Sequence, residues 1–168
     1  MKSLSVVQVN TLIEVVGKHS ERDALMFRVA FNHALRASEL LSLTSSNIVD
    51  GFLVIQRLKG SKKTVQPLLP NERQEILALA KQDGLFFPMC RKTLWLKMQK
   101  YCHEAGIPKF LAHPHSLRHG CAMAGLKGGM AINELQTYLG HVSGSNTMIY
   151  LQVDDDVASS AFARAVGA

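Results

Sequence analysis

Apolar positions recur at helical spacing along most of the chain and alternate in only one short region. Val6, Val9, Leu12, Ile13 and Val16 mark one face of a helix that Ser3 caps and Gly17 with Lys18 stops. A second helix starts at Glu21. Ser20 followed by Asp23 is a loose capping box, and Leu25, Met26, Val29, Ala30 and His33 keep the spacing up to Arg36. Ser38 starts a short helix through Leu41. Residues 51–69 differ: Phe52-Leu53-Val54-Ile55 and Thr64-Val65-Gln66-Pro67-Leu68 are β-prone and flank a polar, glycine-containing Lys59-Gly60-Ser61-Lys62-Lys63. This predicts a hairpin with a basic tip, Pro67 placing its second strand at an edge because it has no N–H for a ladder.

Helical spacing then returns. Asn71 caps a segment through Lys81, residues 91–104 form a helix around Leu94, Trp95, Met98 and Tyr101, and Ser116 caps another that ends near Gly128-Gly129. Residues 131–138 and 146–151 are shorter candidates, and Asp154-Asp155-Asp156 precede an alanine-rich stretch over 158–166. No repeat, low-complexity tract or linker interrupts the pattern. The prediction is one mainly α domain over 1–168 with a small antiparallel sheet, an α+β fold.

Charge adds a class of partner. Lys and Arg number 19 against 13 Asp and Glu, a net +6, the balance of a protein that approaches a polyanion, although charge alone does not single out nucleic acid. Cys90, Cys102 and Cys121 are odd in number and contain no CxxC pair, so they read as reduced packing residues. The N-terminus has no signal-peptide pattern and no run approaches the ~20 apolar residues of a membrane span, which predicts a soluble protein of the cytoplasm or nucleoid, with no membrane partner.

Candidate chemistry lies in separate blocks. A metal-free catalyst acting at a phosphodiester needs donors for the nonbridging oxygens, a nucleophile and an acid for the leaving oxygen. Guanidinium forks suit the first task because they are permanently charged and bind phosphate bidentately. Arg36 sits at a break between two helical patterns with Glu39 close enough to orient it, but on this block alone it reads first as half of a surface ion pair. Lys59 lies among Arg57, Lys62 and Lys63 on the expected tip, either as a solvated turn or as a proton donor to a leaving oxygen. His113, His115 and His119 invite a metal, but no Cys or carboxylate completes a set and Arg118 opposes a cation. His115 and Arg118 lie three apart in a first helical turn and can face one oxygen. His141 follows Gly140 at a helix end; Tyr101, Tyr138 and Tyr150 each read singly as packing residues.

Taken together, these residues resemble the catalytic domain of the tyrosine recombinases, or phage integrase family. The family pattern is an arginine in Leu-Arg-x-Ser-Glu-Leu, a hairpin lysine, His-x-Leu-Arg-His, Leu-Gly-His and a downstream tyrosine. Here these are Arg36, Lys59, His115 with Arg118, His141 and Tyr150, with 23 residues from Arg118 to His141 and nine from His141 to Tyr150. The resemblance implies the tyrosine recombinase catalytic-domain fold and site-specific recombination of double-stranded DNA: integration, excision or inversion. Tyr150 would form a 3′-phosphotyrosine, Lys59 protonate the leaving 5′ oxygen, and Arg36 and Arg118 stabilise the phosphorane. His115 would handle the tyrosine proton and His141 donate to a nonbridging oxygen, with Glu39 and His119 as supporting residues and Arg57, Lys62 and Lys63 as DNA contacts. No metal or other cofactor is implied. The absence of a core-binding domain ahead of residue 1 and the His113–His119 block resemble the short one-domain members that invert fimbrial promoters; a non-cutting DNA-binding accessory protein and a fragment of a two-domain integrase are the alternatives. The segment over 157–166 has apolar faces that fit either a helix folded onto its own core or, as the resemblance implies, packing on a neighbouring copy, which would make a homo-oligomer on DNA, with accessory DNA-binding proteins as further partners.

Overall fold

Seven helices and a three-stranded sheet form within residues 3–58 and 61–142, which are the residues the computed structural model describes. Lys59, Tyr150, the expected helix at 146–151 and the tail over 154–166 lie outside them. Helix α1 spans Val6–Gly17 and α2 Glu21–Asn32. Ser5, not Ser3, caps α1: its Oγ accepts from the Gln8 backbone N–H while Gln8 Oε1 accepts from the Ser5 N–H, so the box closes on the glutamine three residues along. Ser20 caps α2 as expected. That helix stops at Asn32 rather than running to Arg36, because Ala34 turns into the left-handed region at φ 50°.

The break frees Arg36 to become the N-cap of α3, Ala37–Leu41, with the Glu39 side chain accepting from the Arg36 N–H at 2.9 Å. Strands β1 (Ile48–Val49), β2 (Phe52–Ile55) and β3 (Thr64–Pro67) form an antiparallel sheet in the order β1-β2-β3. Phe52 pairs with Pro67 and Ile55 with Thr64, which leaves Pro67 on an edge strand. Leu53, Ile55, Thr64 and Gln66 face inward while Phe52 and Val65 face out, the two-residue period of a half-buried sheet.

Helices α4 (Arg73–Leu79), α5 (Arg91–Glu104), α6 (His115–Lys127) and α7 (Ile132–Leu139) follow. Ser116 does not cap α6; it is buried in the first turn, its Oγ 2.9 Å from His113 Nε2, and Pro114 precedes the helix instead. A main core joins Val9, Leu12 and Val16 of α1 to Met26 and Phe27 of α2, Leu94 and Met98 of α5, and Leu117 of α6. Each such side chain is worth about 1.5–3 kcal/mol of burial. A smaller cluster of Ala34, Ala122, Met123, Leu126, Leu135 and Leu139 seats α7 on α6 and on the α2–α3 turn. Cys102 is buried in the main core as expected, whereas Cys90 is exposed at the start of α5. No helix among the described residues is long and apolar enough to cross a membrane.

Candidate active site

The turn at Ala34, the end of β2, the first turn of α6 and the end of α7 meet in one place, and each contributes a side chain singled out in the sequence. Arg118 is 2% exposed despite its charge. Its Nη1 donates to the Ala34 carbonyl at 2.5 Å and its Nη2 to the Leu139 carbonyl at 3.1 Å. Nη2 also lies 3.1 Å from His141 Nε2. A guanidinium has only donors, so His141 Nε2 presents its lone pair and the ring is neutral in this state. The left-handed turn at Ala34 is what aims its carbonyl at the arginines.

Glu39 is the other anchor. It is buried, with Oε1 accepting from Arg36 Nη1 at 2.8 Å and the Leu58 N–H at 3.3 Å, and Oε2 from the Arg36 N–H at 2.9 Å and Arg57 Nη1 at 3.0 Å. Burial alone would raise its pKa, but the Arg36 N–H and the Arg57 charge outweigh that and hold the carboxyl below its ordinary value. The expected surface ion pair is therefore a buried hub, and it reaches the backbone of Leu58, the residue before Lys59.

Arg57 requires a correction. It was expected on a basic tip facing DNA, yet its side chain is fully buried against Glu39. The alternation that turns Leu53 and Ile55 inward continues to Arg57, which enters the protein beneath Gly140. Lys62 and Lys63 are exposed. The Lys62 N–H donates to the Gly140 carbonyl at 2.9 Å, tying the hairpin to the Leu-Gly-His block. Gly140 is required there twice over: its φ is 70°, and a Cβ would lie 2.8 Å from both the Lys62 carbonyl and Arg57 Cγ.

The histidines sit in a positive field. Desolvation and the charges of Arg118, Arg36 and Arg57 push His141 down to about 4. Desolvation, His115 and Arg118 do the same to His119, also to about 4. Loss of water on its protein-facing side, then Arg118, His113 and Arg36, lowers His115. The His115 and His119 rings meet edge to face, their centroids 4.3 Å apart. Such a cluster favours an anionic ligand, which would relieve the repulsion. Beside Arg36 and His115 opens a cleft of about 470 Å³ lined by Arg91, Lys92, Trp95 and His113. Arg91 and Lys92 had no motif to mark them: their position at the start of α5 was legible in the sequence, but the proximity of that helix end to Arg36 was not. Among the described residues no group of three or more His, Cys, Asp or Glu is arranged to hold a metal ion.

The model of the Phage integrase family matches residues 2–156. The chain is 34% identical over 179 residues to Tyrosine recombinase XerA of Pyrococcus furiosus, an alignment covering 98% of this chain and 62% of that protein. It is 34% identical over 176 residues to Tyrosine recombinase XerD of Pseudomonas putida, covering 90% and 57%. It thus spans about three-fifths of the length of these curated relatives. These relatives are Xer recombinases, not the promoter-inverting members that the His113–His119 block and the one-domain organisation led us to expect. Among solved structures, XerA recombinase superposes with a TM-score of 0.81 at 23% identity, covering 98% of this chain and 65% of that one. The Tn1549 transposon integrase in complex with transposon right end DNA superposes with 0.77 at 17% identity, covering 99% and 66%.

Proposed function

The chain belongs to the phage integrase family, with the mainly helical, small-sheet fold of a tyrosine recombinase catalytic domain, and on that premise we propose that it is a site-specific DNA recombinase. It cleaves one strand and rejoins it through a 3′-phosphotyrosine, in integration, excision or inversion. The observation that carries the reading is the pairing of buried Arg118 with neutral His141, in a positive field to which Arg36 also contributes: donors and a poised imidazole of the kind a phosphate requires. Double-stranded DNA is the partner, by analogy with the DNA-bound integrase of similar fold. Its backbone would run along the cleft of Arg91, Lys92 and Trp95, with Lys62 and Lys63 as further phosphate contacts.

In the proposed reaction the Tyr150 hydroxyl oxygen bonds to phosphorus as the bond from phosphorus to the 5′ oxygen breaks. His115 takes the tyrosine proton, and Lys59 gives one to the departing oxygen. Arg36 and Arg118 hold the nonbridging oxygens of the pentacoordinate transition state. A phosphate oxygen that takes the Arg118 Nη2 hydrogen releases His141 Nε2 from its acceptor role, and its negative charge raises the imidazole pKa, so His141 becomes a donor when substrate arrives. Religation is the same step reversed with a new 5′-hydroxyl. The phosphoester energy stays in the protein link, so neither ATP nor metal is consumed. Several copies act together on DNA, joined through the segment over 157–166, with accessory DNA-binding proteins as further partners.

The test is a pool of nicked suicide duplexes with randomised target sequence. The wild-type chain should form a denaturation-resistant DNA adduct, and Tyr150→Phe should form none. An undiminished adduct in Tyr150→Phe, or binding without any adduct in the wild type, would overturn the assignment, the latter in favour of a non-cutting DNA-binding protein.

A further inference from the structure

Arg57 has five N–H hydrogens, and each meets an acceptor. Nε donates to Thr64 Oγ1 at 3.1 Å, Nη1 to the Ala34 carbonyl at 3.2 Å and Glu39 Oε2 at 3.0 Å, and Nη2 to the carbonyls of His33 at 3.0 Å and Tyr138 at 3.2 Å. With its side chain fully buried, none of these donors is available to DNA.

The acceptors belong to four parts of the chain that meet at the proposed phosphate site. His33 and Ala34 follow the end of α2, and the Ala34 carbonyl is shared with Arg118. Glu39 opens α3 and holds Arg36 and the Leu58 N–H, one residue before Lys59. Thr64 begins β3, the return strand of the hairpin. Tyr138 precedes Leu139, whose carbonyl binds Arg118, and the Arg57 stem packs under Gly140 next to His141.

We infer that Arg57 is a positioning residue for strand cleavage, one buried fork that sets Arg36, Arg118, His141 and the Lys59 hairpin in register without touching DNA. This rests on the cleavage reaction proposed above. The fork matters as much as the charge. A lysine at this place would keep the cation beside Glu39 but has three hydrogens on one nitrogen, too few and too concentrated to span acceptors on opposite sides. Loss of the register displaces the donors by a fraction of an ångström to about 1 Å, a shift that costs about a hundredfold in rate when the groups must converge on one phosphate.

The experiment compares Arg57→Lys, Thr64→Val and Thr64→Ser in the full chain. Duplex binding is measured as Kd, single-turnover cleavage at saturating suicide duplex as a rate, and the Arg36 and Arg118 guanidinium groups by 15N-detected NMR. Arg57→Lys should bind DNA within threefold of wild type and cleave about a hundredfold more slowly. Thr64→Val removes one acceptor at nearly constant shape and so keeps the fold even where Arg57→Lys does not. It should cleave about tenfold more slowly with Kd unchanged, while Thr64→Ser, which keeps the hydroxyl, stays within about twofold. The guanidinium signals of Arg36 and Arg118 should shift in both slow variants. Folded variants that cleave at the wild-type rate, or that lose DNA affinity while the bound complex cleaves normally, would overturn the inference. If the wild type forms no adduct, it is the proposed function that fails, and unshifted guanidinium signals would then overturn the positioning role separately.

Discussion

Glu39→Gln exchanges one oxygen for an NH2 group and should cost this protein a large part of its stability. Oε1 accepts from Arg36 Nη1 and the Leu58 N–H, and Oε2 from the Arg36 N–H and Arg57 Nη1. Whichever way the amide is turned, its NH2 confronts two donors, so two of the four hydrogen bonds are lost, either at Arg36 Nη1 and the Leu58 N–H or at the Arg36 N–H and buried Arg57 Nη1. At about 1–3 kcal/mol for each unsatisfied group the loss is several kcal/mol. Removing one partner of a buried ion pair gives the same order independently, about 3–5 kcal/mol. In a chain of this size such a change lowers Tm by on the order of 10 °C.

The assay is urea unfolding followed by far-ultraviolet circular dichroism, wild type against Glu39→Gln, at pH 7 and again in acid. Glu39 titrates below its ordinary 4.5 in the folded protein. Its contribution is therefore fully present above that ordinary value and is lost as pH falls through the lower folded one. The gap between the two proteins should be widest at neutral pH and narrow in acid. A loss under about 1 kcal/mol at pH 7 would show that Glu39 behaves as an ordinary exposed pair. A gap that widens in acid would show that its carboxyl is protonated in the native state.

Gly140→Ala combines left-handed strain of about 1–2 kcal/mol with a Cβ 2.8 Å from the Lys62 carbonyl, and should destabilise by about 2–4 kcal/mol in thermal unfolding while loosening the hairpin. His141, followed by NMR titration, should show a midpoint near 4 in the free protein and a higher one with a phosphodiester duplex bound; a free-protein midpoint near 6.5 would show that neither burial nor the arginine charges act on the ring. Glu72 forms a buried pair with His33 at 2.6 Å, and although burial opposes it, the His33 contacts hold its carboxyl below 4.5. Glu72→Ala should cost about 3–5 kcal/mol at pH 7, and its deficit should shrink as pH falls through the folded value of Glu72, read from Tm against pH.

Local order was legible residue by residue. Helical spacing placed α5 at Arg91–Glu104 without error, and Pro67 announced an edge strand. Helix ends were less so: Ser3 and Ser116 have the chemistry of caps, but Ser5 has Gln8 three residues ahead and Ser116 is turned into the core. The left-handed turn at Ala34 had no signature, because alanine ordinarily continues a helix and only the packing of α7 and the two arginines against its carbonyl holds it. Arg57 is the instructive miss. Its charge suggested the surface, while the inward parity of Leu53 and Ile55 pointed to the interior and prevailed.

By itself the sequence determined the mainly helical class and the small sheet, and its resemblance to the tyrosine recombinases implied Arg36, His115, Arg118 and His141 as a set suited to phosphate. The class and the sheet follow from periodicity and residue chemistry, which are properties of the chain as written. Only tertiary structure decided what each cation touches. Arg57 and Arg118 have the same side chain and both are buried, but the sheet directs Arg57 to five internal acceptors, whereas Arg118, from the first turn of α6, meets the Ala34 and Leu139 carbonyls and His141. A charge becomes a surface contact, a structural tie or a catalytic donor according to the acceptors that folding brings within about 3 Å, and those come from residues far apart in the sequence.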